Sequence, residues 1–185
     1  MKKITEGQMK AIMPGATLAR IRKYLPYLNE VMEEFGINTP IRQAHFLAQV
    51  AHESVQMHYT KELASGAQYE GRKDLGNVKP GDGARFKGRG FLQLTGRANY
   101  MRYKTYCGYD VVSKPELLEQ PRGAARSAAW VFTRGLGTNL CHYADIDDGT
   151  NTEQVLKQIT RRINGGYNGL DSRRKFLAAA KKALL

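Results

Sequence analysis

Cysteine is scarce. Cys107 and Cys141 are the only two in 185 residues, too few for a disulfide framework and without the C-x-x-C spacing of a zinc or redox site. Both are expected as buried thiols, the common state of free cysteine. No apolar run approaches the roughly 18 residues of a membrane-crossing helix. The opening Met1-Lys2-Lys3-Ile4-Thr5-Glu6 leads into no apolar stretch of a secretory signal, so the chain is expected to be cytosolic when made. Internal repeats, low-complexity tracts and linkers are also missing. Acidic residues are few: 17 Asp and Glu face 29 Lys and Arg, a net charge of +12. That excess predicts attraction to polyanions, whether nucleic acid, anionic lipid or cell-wall polymer. The cations are spread along the chain, which predicts a generally cationic surface.

Several chemical signatures are absent too. There is no G-x-S-x-G nucleophile elbow and no local Cys-His signature. Gly81-Asp82-Gly83 and Gly88-Arg89-Gly90 match neither the phosphate loop nor the dinucleotide fingerprint. His52-Glu53 begins like a zinc-peptidase H-E-x-x-H, but Gln56 stands where the second histidine belongs and His58 is out of register. No metal or other cofactor is expected. The basic, aromatic stretch from Arg97 to Lys104 suits nucleic acid in composition. No zinc-finger, basic-zipper or helix-turn-helix pattern supports it, and no specific nucleic-acid partner is expected.

What is present is the pattern of one helical domain, with 42% hydrophobic and 25% charged residues. Thr5-Glu6-Gly7-Gln8 has capping-box spacing and opens a helix that must stop before Pro14-Gly15. Leu18, Ile21 and Leu25 mark a second helix, interrupted by Pro26; Leu28, Val31, Met32 and Phe35 mark a third, ending at Gly36. The next has Thr39 as N-cap and Pro40 in its first turn, and runs to about Met57. It is apolar around most of its circumference, with Arg42, Gln49 and Glu53 on one polar stripe, and so is expected to be central. Residues 64–84 read as a polar, glycine-rich loop, and residues 85–95 as a short strand or hairpin. Three more helices are expected over 121–134, 152–163 and 171–185, the last basic and amphipathic. Residues 1–38 read as scaffold for the rest.

Glu53 is the first chemical candidate, because a carboxyl on a mostly apolar helix is desolvated and keeps its proton near neutral pH. A partner acid must come from elsewhere. Along an unbroken helix at 1.5 Å per residue, Glu53 and Glu62 would lie about 13 Å apart, whereas an inverting glycosidase needs roughly 6.5 to 9.5 Å. Such a pair requires the helix to break between them. Glu70, Asp74 and Asp82 are within reach of the same loop, and composition does not choose among them.

An ordered series of motifs goes further: His52-Glu53-Ser54, Glu62, Tyr69-Glu-Gly-Arg-Lys-Asp-Leu-Gly-Asn77, Gly81-Asp-Gly83, Gly88-Arg-Gly-Phe-Leu-Gln-Leu-Thr-Gly96, Asn99-Tyr100 and Asn164-Gly-Gly166. This series resembles glycoside hydrolase family 19, the chitinases with their bacterial and phage relatives, over about residues 39–176. The resemblance implies a mainly α, lysozyme-like, two-lobed fold with a substrate cleft, and inverting hydrolysis. By motif, Glu53 resembles the general acid, Glu62 the general base, and Thr95 the residue that orients the attacking water. Gln93, Asn99, Tyr100 and Asn164 match residues of the sugar sites, and Arg173 resembles a cleft arginine that pairs with an acid. The Tyr69–Asn77 and Gly81–Gly83 patterns, compact size and lack of signal resemble the phage endolysin branch. Its members cut bacterial peptidoglycan between N-acetylmuramic acid and N-acetylglucosamine. The resemblance implies release to the wall by a separate membrane-permeabilising protein. A monomer is expected, and the basic C-terminal helix, Asp171 to Leu185, either meets anionic outer membrane or lipopolysaccharide as cationic amphipathic helices do or packs as a terminal helix with a solvated basic face. A chitinase and a non-catalytic wall-binding protein are the alternatives.

Overall fold

The computed structural model describes residues 2–185, and among them the regular structure is almost entirely helical. α1 (Glu6–Ile12) carries the expected capping box: the Thr5 side chain accepts from the Gln8 amide, and the Gln8 side chain accepts from the Thr5 amide. α2 (Leu18–Glu34) is one continuous helix and not the two expected, because Pro26 sits on its exposed side. The hydrogen bond that proline removes is lost where water replaces it, while Tyr24, Leu25, Leu28, Val31 and Met32 keep the opposite face in the core.

α3 (Pro40–Glu53) is capped by Thr39 and has Gln43 through Ala51 buried without interruption. It is the central helix. Full burial of Phe46, Leu47 and Val50 contributes roughly 1.5–3 kcal/mol each, and the Phe46 ring meets Phe132 edge-on with ring centres 5.4 Å apart. α4 (Asp82–Arg85) is a single turn, and α5 (Arg97–Cys107) is a helix where the sequence had suggested only a basic, aromatic stretch. α6 (Pro121–Trp130) packs on α2 and continues into a wider π-type turn, Val131–Gly135. α7 (Leu140–Asp145), α8 (Thr152–Asn164) and α9 (Leu170–Leu184) complete the fold. Cys141 is buried, which pushes its thiol up to about 11, whereas Cys107 is only half-buried.

α9 lies along α3 and α1, with Leu177 and Ala180 buried. Its apolar side is therefore occupied by the core, and not free to enter a membrane as an amphipathic helix would. Two polar ties fix this packing. One is a buried network in which His45 Nε2 meets Asp147 Oδ2 at 2.8 Å, Lys181 Nζ reaches Asp147 Oδ1 at 3.0 Å, and Thr152 donates to the same carboxylate at 2.6 Å. It joins α3, α8 and α9 through one acid. The other, at Arg173, belongs to the site described below.

Burial lowers His45 from its ordinary value despite the neighbouring Asp147. Burial works to raise Asp147, but bonds from Thr152, His45 and Lys181 outweigh it and hold the carboxyl at about 2. Both groups thus bind protons more weakly when folded than when unfolded, so both stabilise the protein at neutral pH and lose that contribution on acidification. Urea unfolding is expected to show stability falling below about pH 6.5, as His45 protonates in the unfolded chain, and again between about pH 4 and 2. Asp147→Asn is expected to cost about 3 kcal/mol at pH 7 and to make the second fall shallower, the remainder coming from other paired carboxyls such as Asp82 and Asp145. An unchanged acid profile in that variant would show that the network does not carry the dependence.

Candidate active site

Glu53 is the last residue of α3, so the helix stops four residues short of the expected end near Met57. The stop is forced locally. The hydroxyl of buried Ser54 donates to Val50 O (2.6 Å) and accepts from the Met57 amide (2.8 Å), while the Gln56 amide reaches back to Ala51 O (2.7 Å). Val55, Gln56 and Met57 have φ of 49°, 55° and 63°. Three successive non-glycine residues in the left-handed region cost on the order of 1–3 kcal/mol each. The Gln56 side chain offsets part of this by accepting from the Gly15 amide at 2.7 Å. The chain thereby leaves the helix axis, and Glu62 comes to bond Tyr69, which lines the same cleft as Glu53.

Behind Glu53 the surroundings are ionic, not the wholly apolar pocket expected from the helix. Arg173 has no solvent exposure. Its Nη2 donates to Glu53 Oε1 at 2.5 Å, its Nη1 to Gln49 Oε1, and its Nε to Asn168 O at 3.3 Å. Arg173 therefore pairs with an acid, as the resemblance implies, but it is sealed beneath Glu53 and does not reach a bound sugar. Glu53 Oε2 has no protein hydrogen-bond partner among the described residues. His52, half-buried against Gly169, is lowered by burial and by Arg173, and adds no positive charge there at neutral pH.

Glu62 is held differently. Its backbone pairs with Gly88 (Glu62 N to Gly88 O, 2.9 Å), and Lys61, Arg89 and Leu94 form two isolated antiparallel bridges. These bridges are all that exists of the expected hairpin. The carboxylate accepts from three donors: Gln68 Nε2 (2.8 Å) and Tyr69 OH (3.1 Å) on Oε1, and the Gly88 amide (3.1 Å) on Oε2. Burial and the adjacent Glu62 charge raise the Tyr69 phenol, which keeps it a donor. Gly88 lies close to both side chains: a Cβ there would displace the Gln93 side-chain oxygen and crowd Glu62.

The other acids are committed to structure. Glu70 accepts from the amides of Gly81 and Gly83, both at 2.8 Å. Asp82 is buried and forked by Arg97 at 2.8 and 2.5 Å, and that guanidinium holds its carboxyl below the usual range. Asp74 forms an exposed pair with Arg72. Residues 64–84 are thus braced by side chains and by short turns at Ala67–Tyr69 and Lys73–Leu75, not left without structure. Asn77 adds to this, donating to Tyr69 O and accepting from the Arg97 amide.

Glu53, Tyr69, Arg72, Gln93, Thr95 and Asn164 line one cleft of about 330 Å³. It runs into an adjoining groove walled by Asn99, Trp130, Gly135 and Leu136. The π-type turn after α6 forms part of that wall. Gln93 is in the left-handed conformation (φ 52°), and its carbonyl accepts from Thr95 Oγ1 at 2.9 Å. Thr95 has therefore spent its proton and meets the cleft as an acceptor. Asn99 is held by Thr95 O at 2.8 Å. Tyr100 does not join them: it is fully buried, donates to Lys87 O at 2.7 Å and accepts from Arg89 at 3.1 Å, and burial pushes its phenol up to about 12. Gln49, Gln68 and Tyr69 are functional supports beyond those assigned from sequence. Gln49 was visible only as a member of the polar stripe on α3, and Tyr69 only as part of a motif.

No family model matches the chain. A glycosyl hydrolase family 19 domain-containing protein of Haemophilus influenzae is 26% identical over 208 residues, spanning 95% of this chain and 94% of the relative. An endochitinase of Arabidopsis thaliana is 30% identical over 124 residues, 66% of this chain and 39% of that protein. In three dimensions, chitinase C of Streptomyces griseus superposes with a TM-score of 0.75 at 23% identity, covering 98% of this chain and 76% of that one. A bacterial family 19 chitinase superposes with a TM-score of 0.71 at 20% identity, covering 98% and 94%. The structural likenesses carry the helical fold, and the sequence relative matches the chain over nearly its full length. The chain is thus similar over nearly its whole length to a family 19 glycosyl hydrolase domain protein and has the helical fold of the family 19 chitinases.

Proposed function

We propose that the protein is an endolysin-type peptidoglycan hydrolase that cuts the β-1,4 bond between N-acetylmuramic acid and N-acetylglucosamine by inverting acid-base catalysis. The observation that carries the chemistry is the unequal hydrogen bonding of the two glutamates. Both oxygens of Glu62 accept hydrogen bonds, three in all and one from a backbone amide that can only donate, an arrangement that suits a base. Glu53 engages only Oε1, and Oε2 is left to carry a proton to the glycosidic oxygen. Arg173 and Gln49 fix the rotamer of the acid, a positioning role. A water between Glu62 and Thr95 has one proton for the carboxylate and one for the threonine oxygen, which aims its lone pair at the anomeric carbon.

For the polymer, the net charge of +12 favours the anionic bacterial wall over uncharged chitin, and the motif pattern over Tyr69–Gly83 resembles the endolysin branch. In this reading the enzyme is made in the host cytoplasm and meets the wall after a separate protein permeabilises the membrane. Chitin hydrolysis is the second reading, favoured by the chitinases among the similar structures.

Digestion of purified peptidoglycan followed by mass spectrometry tests the assignment. Fragments with reducing muramic acid ends are expected. Anhydro ends would replace hydrolysis with lytic transglycosylation, and release of soluble N-acetylglucosamine oligomers from chitin alone would favour the second reading. On permeabilised Gram-negative cells, Glu53→Gln is expected to fold normally and to lower the clearing rate by about 10²–10⁴-fold. Normal clearing by that variant would remove Glu53 from the role of acid. Arg173→Lys is expected to lower kcat by about tenfold or more with little change in KM, because a lysine cannot fork to Gln49 and Glu53 together. A change confined to KM would instead place residue 173 in sugar binding.

A further inference from the structure

The cleft does not end at the catalytic groove. Leu136 forms one wall of that groove and also lines a second depression of about 750 Å³, shared with Tyr143, Gln158, Arg161, Arg162 and Gly165. The C-terminal turn of α8 serves both sides of the junction. Ile163 and Asn164 face the cleft that holds Glu53, while Arg161, Arg162 and Gly165 face the second depression. A further groove sharing Gln158 and Arg161 continues along α8 past Lys157 to the exposed ring of Tyr167. The surface offered to a polymer is therefore longer than the reacting centre needs.

Part of its charge is left without a carboxylate partner, as it is at Arg85, Arg102 and Arg134 elsewhere on the surface. Many arginines on the helical surface are neutralised, among them Arg42 by Asp145, Arg122 by Glu30, Arg126 by Glu34 and Arg174 by Glu153. Arg161 and Arg162 have no carboxylate partner among the described residues. Arg162 is nonetheless ordered, donating to Tyr143 OH at 3.0 Å with its guanidinium 5.6 Å from the centre of that ring. The acid lining the outer groove, Glu153, is taken up by Arg174 and Lys157. Two adjacent guanidinium groups, one preorganised on an aromatic ring and neither neutralised, are suited to carboxylate recognition through paired N–H bonds. Chitin has no anion to present. A peptidoglycan strand presents carboxylates on the peptide stem of every muramic acid residue.

We infer that Arg161 and Arg162 form an anion subsite that takes a stem-peptide carboxylate of a muramic acid bound in the adjoining cleft, and so sets the preference for peptidoglycan over chitin. The inference rests on the peptidoglycan reading above and assigns that preference to two residues outside the catalytic groove. No bond is made or broken at this subsite; it adds binding to one class of substrate.

Calorimetry on the full chain carrying Glu53→Gln tests it without turnover, using a disaccharide-tetrapeptide fragment, the same glycan after amidase removal of the stem, and chitotetraose. The stem-bearing fragment is expected to bind about tenfold more tightly than the stem-free glycan. Arg161→Ala with Arg162→Ala is expected to erase that difference while leaving the other two affinities and the melting temperature unchanged. No preference for the stem, a preference that survives the double substitution, or equal loss for all three ligands would each overturn the subsite. Hydrolysis by the unmodified protein is scored separately. Cleavage of chitin without cleavage of peptidoglycan would sink the functional reading, and the binding comparison would still decide the subsite on its own result.

Discussion

A guanidinium with no solvent exposure must be paired, because an isolated buried charge costs several kcal/mol, and the pairing of Arg173 organises the rest of this structure. Its partners, Gln49 and Glu53, sit one turn apart on α3. Only one register of α9 against α3 satisfies all three groups together with the Asn168 carbonyl. The apolar contacts of Leu177 and Ala180 supply much of the attraction between these helices. Apolar contact is not directional, however, and it is the hydrogen-bonded cation that fixes which residues meet. The same bond removes rotational freedom from Glu53, so one interaction both aligns the core and aims the carboxyl proposed as the acid.

The strain at Val55–Met57 follows from this arrangement. With Glu53 held at the helix end, the chain has to leave α3 at once if a second carboxylate is to return to the same cleft, and a left-handed turn of non-glycine residues achieves that where an ordinary helix exit would not. The turn persists because Ser54 and Gln56 are over-determined by hydrogen bonds. The polar loop beyond it is held by its own acids. Glu70 and Asp82 act as struts on backbone amides and on Arg97, whereas Glu62 is surrounded by donors, one of them the cleft-lining Tyr69. Acid residues that look equivalent in a sequence are thus separated, by what each one touches, into structural fasteners and the two proposed for catalysis.

The positive charge is divided in a comparable way. Much of it on the helices is neutralised in pairs that join α2 to α6 or α8 to α9, so a net charge of +12 spread along the chain does not produce a uniform field. Unpaired guanidinium groups persist where α8 borders the cleft. Long-range attraction to an anionic polymer and local recognition of an anionic group are therefore separable properties, the first screened by salt within about 10 Å and the second dependent on contact.

Short-range patterns were legible in the sequence. The Thr5 and Thr39 caps, Pro40 in the first helical turn, the central placement of α3 and the stops at Gly36 and Asn164 all follow from interactions within a few residues, which a sequence displays directly. The ordered motifs also marked Glu53, Glu62 and Thr95 as a set, and the need for a helix break between the two glutamates was a matter of arithmetic. Pro26 misled because the rule about proline depends on which face meets water, and Tyr100 misled because a residue next to a functional motif can point into the core. Only the tertiary structure decided that Arg173 lies beneath Glu53 and not against substrate, that Glu70 and Asp82 are braces, and that Arg161 and Arg162 border the cleft. Those outcomes depend on contacts between residues as far apart as 120 positions, brought together by the closing of α9 on α3, and no local pattern encodes which side chains such a closure will bring into touch.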